Sequence, residues 1–231
     1  MPRQARMTSA TCVYHTILRG VNKQQVFEDE EDYLRFLNVL RRQTQLYVDD
    51  QGRTLPPRCY IYAYCLMGNH IHLLVKEGSE TIGEIMKRIA SSYVYHYNHK
   101  YDRVGHLFQE RFKSQPVNDF TYFITLLRYI HQNPLKASLV ESIDDYVWSS
   151  WQEYNGKAHE GFCSTQVVLD RMSFVELKHL VDTPLTEEDA NQFIDVDVHP
   201  TKSTYSDEEI WQLLSALSGA SNATQFQALP R

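Results

Sequence analysis

The 231-residue chain has no long apolar run. Nothing in it approaches the roughly 18 consecutive apolar residues that cross a bilayer. Its opening, Met1-Pro-Arg-Gln-Ala-Arg-Met-Thr, also lacks the apolar centre of a secretory signal. A cytoplasmic protein with no membrane partner is therefore expected. Cysteine is scarce: Cys12, Cys59, Cys65 and Cys163 fall at no zinc-ligand spacing and are too few to staple a chain of this size, so they read as reduced thiols. An excess of positive charge is missing too, with a formal net charge of -6. That charge is uneven, because residues 1–155 hold 18 Lys+Arg against 17 Asp+Glu, whereas residues 156–231 hold 5 against 12. A local basic face in the first segment remains compatible with a phosphate backbone. Internal repeats are absent, and 42% hydrophobic with 23% charged residues is ordinary for a folded domain.

What is present is a series of period changes. Val13 to Arg19 is β-branched and partly alternating, which predicts an opening strand. Tyr33, Leu34, Phe36, Leu37, Leu40 and Leu46 follow helical spacing behind the acidic run Glu28 to Asp32. Asp49-Asp-Gln-Gly and Pro56-Pro57 make a loop. Tyr60 to Leu66 and His70 to Val75 then form a predicted hairpin about Met67-Gly68-Asn69. Thr81 to His96 returns to helical spacing through Ile82, Ile85, Met86, Ile89 and Tyr93, with Thr81 and Glu84 placed as a capping box. Gly105 to Phe112 reads as a short extended piece. Asp119 to Asn133 reads as a helix that Pro134 terminates. The order strand, helix, hairpin, helix, short strand, helix predicts an α+β two-layer sandwich, an antiparallel sheet with helices on one face. Gly156 and Gly161 mark an expected boundary between a domain over 8–155 and a small acidic C-terminal extension over 156–231.

The sharpest chemical feature is His70-Ile71-His72. Side chains alternate along a strand, so both imidazoles share a face on which they can bind one metal ion. As a bare pattern, His-x-His is more often a surface or hydrogen-bonded pair. Tyr129 and Asn133 lie four apart on one helix face, where the carboxamide oxygen of Asn133 suits Mg2+ or Mn2+ and the phenol is a candidate reactive group. The plainer reading of Tyr129, one of 15 tyrosines, is packing with a wet hydroxyl.

Three ordered segments extend this picture. Tyr60-Ile-Tyr-Ala-Tyr-Cys-Leu-Met-Gly-Asn-His-Ile-His-Leu-Leu-Val, Gly105-His-Leu-Phe-Gln-Glu-Arg-Phe-Lys-Ser and Tyr129-Ile-His-Gln-Asn-Pro-Leu-Lys-Ala resemble the IS200-like single-tyrosine transposases of the HUH endonuclease superfamily, especially the REP-associated tyrosine transposases. The resemblance spans roughly residues 10–154. It implies a ferredoxin-like or RRM-like fold, a catalytic divalent metal, Mg2+ or Mn2+, on His70 and His72, and a transient 5′-phosphotyrosine. In this sequence His70 and His72 match the paired histidines, Tyr129 the nucleophile, and Asn133 the polar third ligand. Gln132 is disfavoured as that ligand because it lies three residues from Tyr129. The resemblance further implies single-stranded or hairpin DNA as partner, with a monomer acting alone or a homodimer sharing its sites.

Arg111 and Lys113, beside Phe108 and Phe112, are candidate strand contacts, as are Lys100 and Arg103 in a stretch with Tyr93, Tyr95, Tyr97 and Tyr101. The alternative for that stretch is a helix with one packed face and a solvated end. Residues from Ile210 onward resemble the start of the helix-turn-helix extensions of some relatives, too short to be complete. No residue is assigned as general base, because His131, two along a helix from Tyr129, points elsewhere. A histidine-triad hydrolase would need a third His where the chain has Leu74. The competing non-enzymatic reading is a nucleic-acid-binding regulator on the same fold that does not cleave.

Overall fold

The computed structural model describes residues 7–158 and 160–193. The elements run β1 (Val13–Arg19), α1 (Glu30–Gln43), a small ribbon of β2 (Tyr47–Val48) and β3 (Thr54–Leu55), β4 (Cys59–Met67), β5 (His70–Glu77), α2 (Ile82–Lys100), β6 (Lys113–Pro116) and α3 (Phe120–Lys136). Four short helices follow: α4 (Trp151–Tyr154), α5 (Gln166–Leu169), α6 (Phe174–Asp182) and α7 (Glu187–Asn191).

The main sheet has the order β4-β5-β1-β6 with every pairing antiparallel. With α1 and α2 as the two crossovers, this is the ferredoxin-like arrangement. Period-2 alternation sorts the sheet's side chains. Tyr14 and Leu18 of β1 and Ile71, Leu73 and Val75 of β5 join Phe36, Leu40, Ile85, Ile89 and Tyr93 in one core beneath α1 and α2. Val13, Ala63, Cys65, Met67 and Leu74 face the other way, against Phe123, Leu126, Leu127, Tyr129 and Ile130 of α3. The expectation of helices on one face thus holds for α1 and α2 and needs correction for α3, which covers the opposite face. Its apolar stripe is too broad to leave in water and has only that side of the sheet to bury it.

Local chemistry sets the ends. Asp29 caps α1 by accepting from the Asp32 N–H, and the Glu84 carboxylate reaches back to the Thr81 N–H at 2.9 Å to open α2. Two residues, Gly68 and Asn69, join β4 to β5. A Cβ at Gly68 would meet the end of the Gln25 side chain, which would have to swing aside.

Three boundaries differ from expectation. The strand expected within Gly105–Phe112 falls instead at Lys113–Pro116, the earlier stretch making only a Phe108 bridge to Gly20. Helix α3 runs through Pro134 to Lys136, because the Asn133 side chain donates to the Tyr129 and Ile130 carbonyls, the latter being the one that proline leaves without its N–H partner. The boundary at Gly156–Gly161 does not separate compact units. Past that point, Val168, Leu177, Val181 and Phe193 are buried in the α3-side core together with residues of the earlier segment. The expected helix-turn-helix-like segment lies outside the described residues. Among those described, all four cysteines are free thiols and no helix is long and apolar enough to cross a membrane.

Candidate active site

Strand β5 presents His70 and His72 toward α3. The two rings are nearly perpendicular, with centroids 4.9 Å apart. His72 is 1% exposed and His70 is half-buried. Each Nδ1 has a partner: Asn69 Oδ1 at 2.6 Å from His70, and Nε2 of the fully buried His15 at 3.1 Å from His72. Helix α3 brings Tyr129 to the same place, its ring meeting His72 edge to face at 5.6 Å and His15 at 6.2 Å. Strand and helix of one chain therefore bring Tyr129 against His72, from which it is well separated in the sequence.

The surroundings are dry. Burial, then the neighbouring His70, His15 and Lys136, hold the basicity of His72 well below the ordinary histidine range, and burial brings His15 down to about 3. Both are thus neutral at physiological pH, the form in which an imidazole ligates a cation. Tyr129 is only 1% exposed. Phe193 lies 4.8 Å from its ring and edge-on to His15, while Lys136 places its Nζ 4.6 Å from the Tyr129 ring centre. The backbone beside Phe193 is held where the Gln192 carbonyl accepts from Gln115 and Tyr122.

Asn133 sits one turn beyond Tyr129. Its amide nitrogen donates to the Tyr129 carbonyl at 2.8 Å, and its side-chain oxygen is an acceptor. Gln132 instead turns away and pins the segment after α6, donating to Val181 O and Thr183 O and accepting from Leu185 N. His131 is buried with its Nε2 on Ser150 Oγ at 2.7 Å, a structural contact. Among the described residues no group of three or more His, Cys, Asp or Glu side chains is arranged to share a metal ion. By their chemistry, two imidazoles and a carboxamide oxygen are a mixed set that would suit Mn2+ and accept Mg2+.

The four basic candidates separate. Lys113 stands on β6 opposite Ile17, which stands opposite His72, so all three share one row and one sheet face, about 10 Å from end to end. Arg111 lies elsewhere, on a groove of about 1200 Å³ between α2 and residues 106–112 that includes Tyr95 and Phe108 but none of the His70, His72 and Tyr129 group. Arg103 reaches Gln24 and packs over Tyr97. Lys100 is held among carboxylates, with Asp29, Glu31 and Asp32 around its ammonium at 2.7, 3.0 and 3.1 Å, so its charge offsets the acidic start of α1. The tyrosines around it are likewise mostly structural, with Tyr93 and Tyr97 in the core and the Tyr101 hydroxyl on Asp32.

Sequence reasoning missed His15, Lys136 and Phe193. His15 carried a signal, since it shares strand parity with Val13 and Ile17, and so did Lys136, seven residues or two turns beyond Tyr129. Phe193 carried none.

Residues 8–133, more than half of the chain, match the family described as Transposase IS200 like. The chain belongs to this family. As an IS200-like transposase it is an enzyme acting on DNA, and the matched stretch runs from before β1 to Asn133, taking in His70, His72 and Tyr129. No curated protein sequence matches this transposase. Among solved structures it is similar to a REP-associated tyrosine transposase bound to a REP hairpin, with a TM-score of 0.51 and 16% identity over 70% of this chain and 90% of that one. That likeness is one of fold.

Proposed function

We propose that this IS200-like transposase cuts and rejoins a single DNA strand through a covalent bond to Tyr129, with His70, His72 and Asn133 holding Mn2+ or Mg2+. The observation that carries the reading is the contact of Tyr129 with His72 within one chain. It also supports a site complete in a single protomer.

The divalent cation, when bound, would supply positive charge against the scissile phosphate. The chain's own residues do the rest. Helix α3 carries Tyr129, whose oxygen gives up its proton to solvent and attacks phosphorus. A Tyr–O–P bond forms and the P–O3′ bond breaks. The departing 3′ oxygen takes up a proton, leaving a free 3′ hydroxyl and the other fragment attached to Tyr129 through its 5′ phosphate. Because the phosphoester is conserved, attack by another 3′ hydroxyl reverses the step and joins strands without ATP. A free phenol, with a pKa of about 10, is a weak nucleophile at neutral pH. The Lys136 ammonium 4.6 Å from the Tyr129 ring favours negative charge developing there. Lys113, in the His72 row, suits a backbone phosphate of the bound strand.

Hairpin-bearing single strands are the proposed substrate. The solved relative is bound to such a hairpin, and only an unstacked backbone can reach a tyrosine lodged between helix and sheet. The second reading, a regulator that binds without cutting, draws support from the cover that Phe193 places over Tyr129.

Incubation of the full chain with an end-labelled hairpin single strand and Mn2+ separates the two. The expected result is a denaturation-resistant protein–DNA adduct, absent with Tyr129→Phe, with His70→Ala and with a chelator. Binding without any adduct would establish the regulator instead.

A further inference from the structure

His15 has no part in the chemistry above, yet it occupies the middle of β1 with no exposure to solvent. Its ring stacks on His72 at 5.3 Å and 18°, and its Nε2 faces His72 Nδ1 at 3.1 Å. A neutral imidazole has one N–H and one lone pair. A single proton therefore lies between these two nitrogens, and its owner fixes the tautomer of His72. When His72 donates, its Nε2 is a bare lone pair that can ligate. When His15 donates, the hydrogen of His72 moves to Nε2 and blocks it.

The adjacent histidine shows the first arrangement. Asn69 Oδ1 only accepts, so His70 donates through Nδ1 at 2.6 Å, which puts the ring's lone pair on Nε2. The Asn69 amide is oriented by its own nitrogen, which reaches Lys23 O at 3.4 Å.

We propose that His15 is a positioning residue of the cation site, accepting the Nδ1–H of His72 and so holding that ring in the ligating tautomer, as Asn69 does for His70. The proposal rests on the reading that His70 and His72 bind a divalent cation. Stability alone gives a poor account of His15, since its Nδ1 is buried with no hydrogen-bond partner among the described residues. An unsatisfied polar atom in a dry core is a cost that leucine would not carry. A partner on the outer nitrogen of a ligating histidine is what metal sites require, and its loss typically lowers metal affinity about 10- to 100-fold.

The test is calorimetric titration of the full chain with Mn2+ alone. His15→Leu is expected to weaken Mn2+ binding about 10- to 100-fold while the melting temperature stays level or rises. His15→Gln, whose side-chain oxygen can accept the same bond, is expected to restore affinity to within a few-fold. Nitrogen-15 NMR of the metal-free protein should find the His72 proton on Nδ1 in the wild type and shifted toward Nε2 in His15→Leu. Undiminished Mn2+ affinity in His15→Leu, with binding lost in His72→Ala, would overturn the role of His15 alone. Undiminished affinity in His72→Ala would overturn the cation-site reading and this proposal with it.

Discussion

Tyr129 on α3 and His72 on β5 meet edge to face, ring centroids 5.6 Å apart, on the sheet face opposite α1 and α2. The contact exists because two periodicities coincide. Alternation along β5 turns His72 away from the core that holds Ile71 and Leu73, and the 3.6-residue period of α3 turns Tyr129 inward with Leu126 and Ile130.

Tyr129→Phe keeps the ring and removes one hydroxyl. The expected cost in stability is at most about 1.5 kcal/mol, measured by denaturant titration, while adduct formation with labelled hairpin DNA falls to background. An adduct persisting in this variant would assign the nucleophile to another residue.

Phe193→Ala removes the ring that covers Tyr129. Stability should fall by about 3 kcal/mol, as for other buried phenylalanines, and the initial rate of adduct formation should rise because the strand no longer has to displace an aromatic side chain. A rate equal to or below that of the wild type, measured well below the melting temperature, would show that the ring does not limit access.

The two lysines give opposite results. Lys113→Ala should weaken single-strand binding and lower the slope of log K against log salt by about 1, with little change in melting temperature. Lys100→Ala should leave DNA affinity unchanged and lower the melting temperature, since Asp29, Glu31 and the buried Asp32 lose their shared cation. Fluorescence anisotropy across a salt series and thermal melts distinguish the pair.

His131 makes stability pH-dependent. Burial lowers its pKa from 6.5 to about 3, so between those values the unfolded chain binds a proton that the folded chain refuses. Its contribution is complete above pH 6.5 and is lost as pH falls toward 3. In His131→Asn the decline of stability between about pH 6 and 4.5 should be shallower by up to about 1.4 kcal/mol per pH unit, read from urea midpoints. An unchanged slope would mean that His131 is charged in the folded protein.

Much of this architecture was written in local pattern. The positions Ile82, Ile85, Met86, Ile89 and Tyr93 were picked out by spacing and are all buried in α2, and the His70–His72 face followed from strand parity alone. Charge was harder to read. Lys100 looked available to DNA because composition shows a cation without showing that three carboxylates from the start of α1 fold around it. Pro134 looked like a helix terminator because the rescue of the freed carbonyl by the Asn133 amide depends on a rotamer.

The sequence by itself determined the opening strand, the three long helices, the antiparallel hairpin and the shared face of the two histidines, because these depend on neighbours within one turn or one strand. The tertiary structure alone decided that α3 closes the second face of the sheet, that His15 backs His72, and that Phe193 covers Tyr129. Those contacts join segments whose separation along the chain carries no periodic trace, and they are set by which apolar surfaces remain to be buried once the sheet has formed.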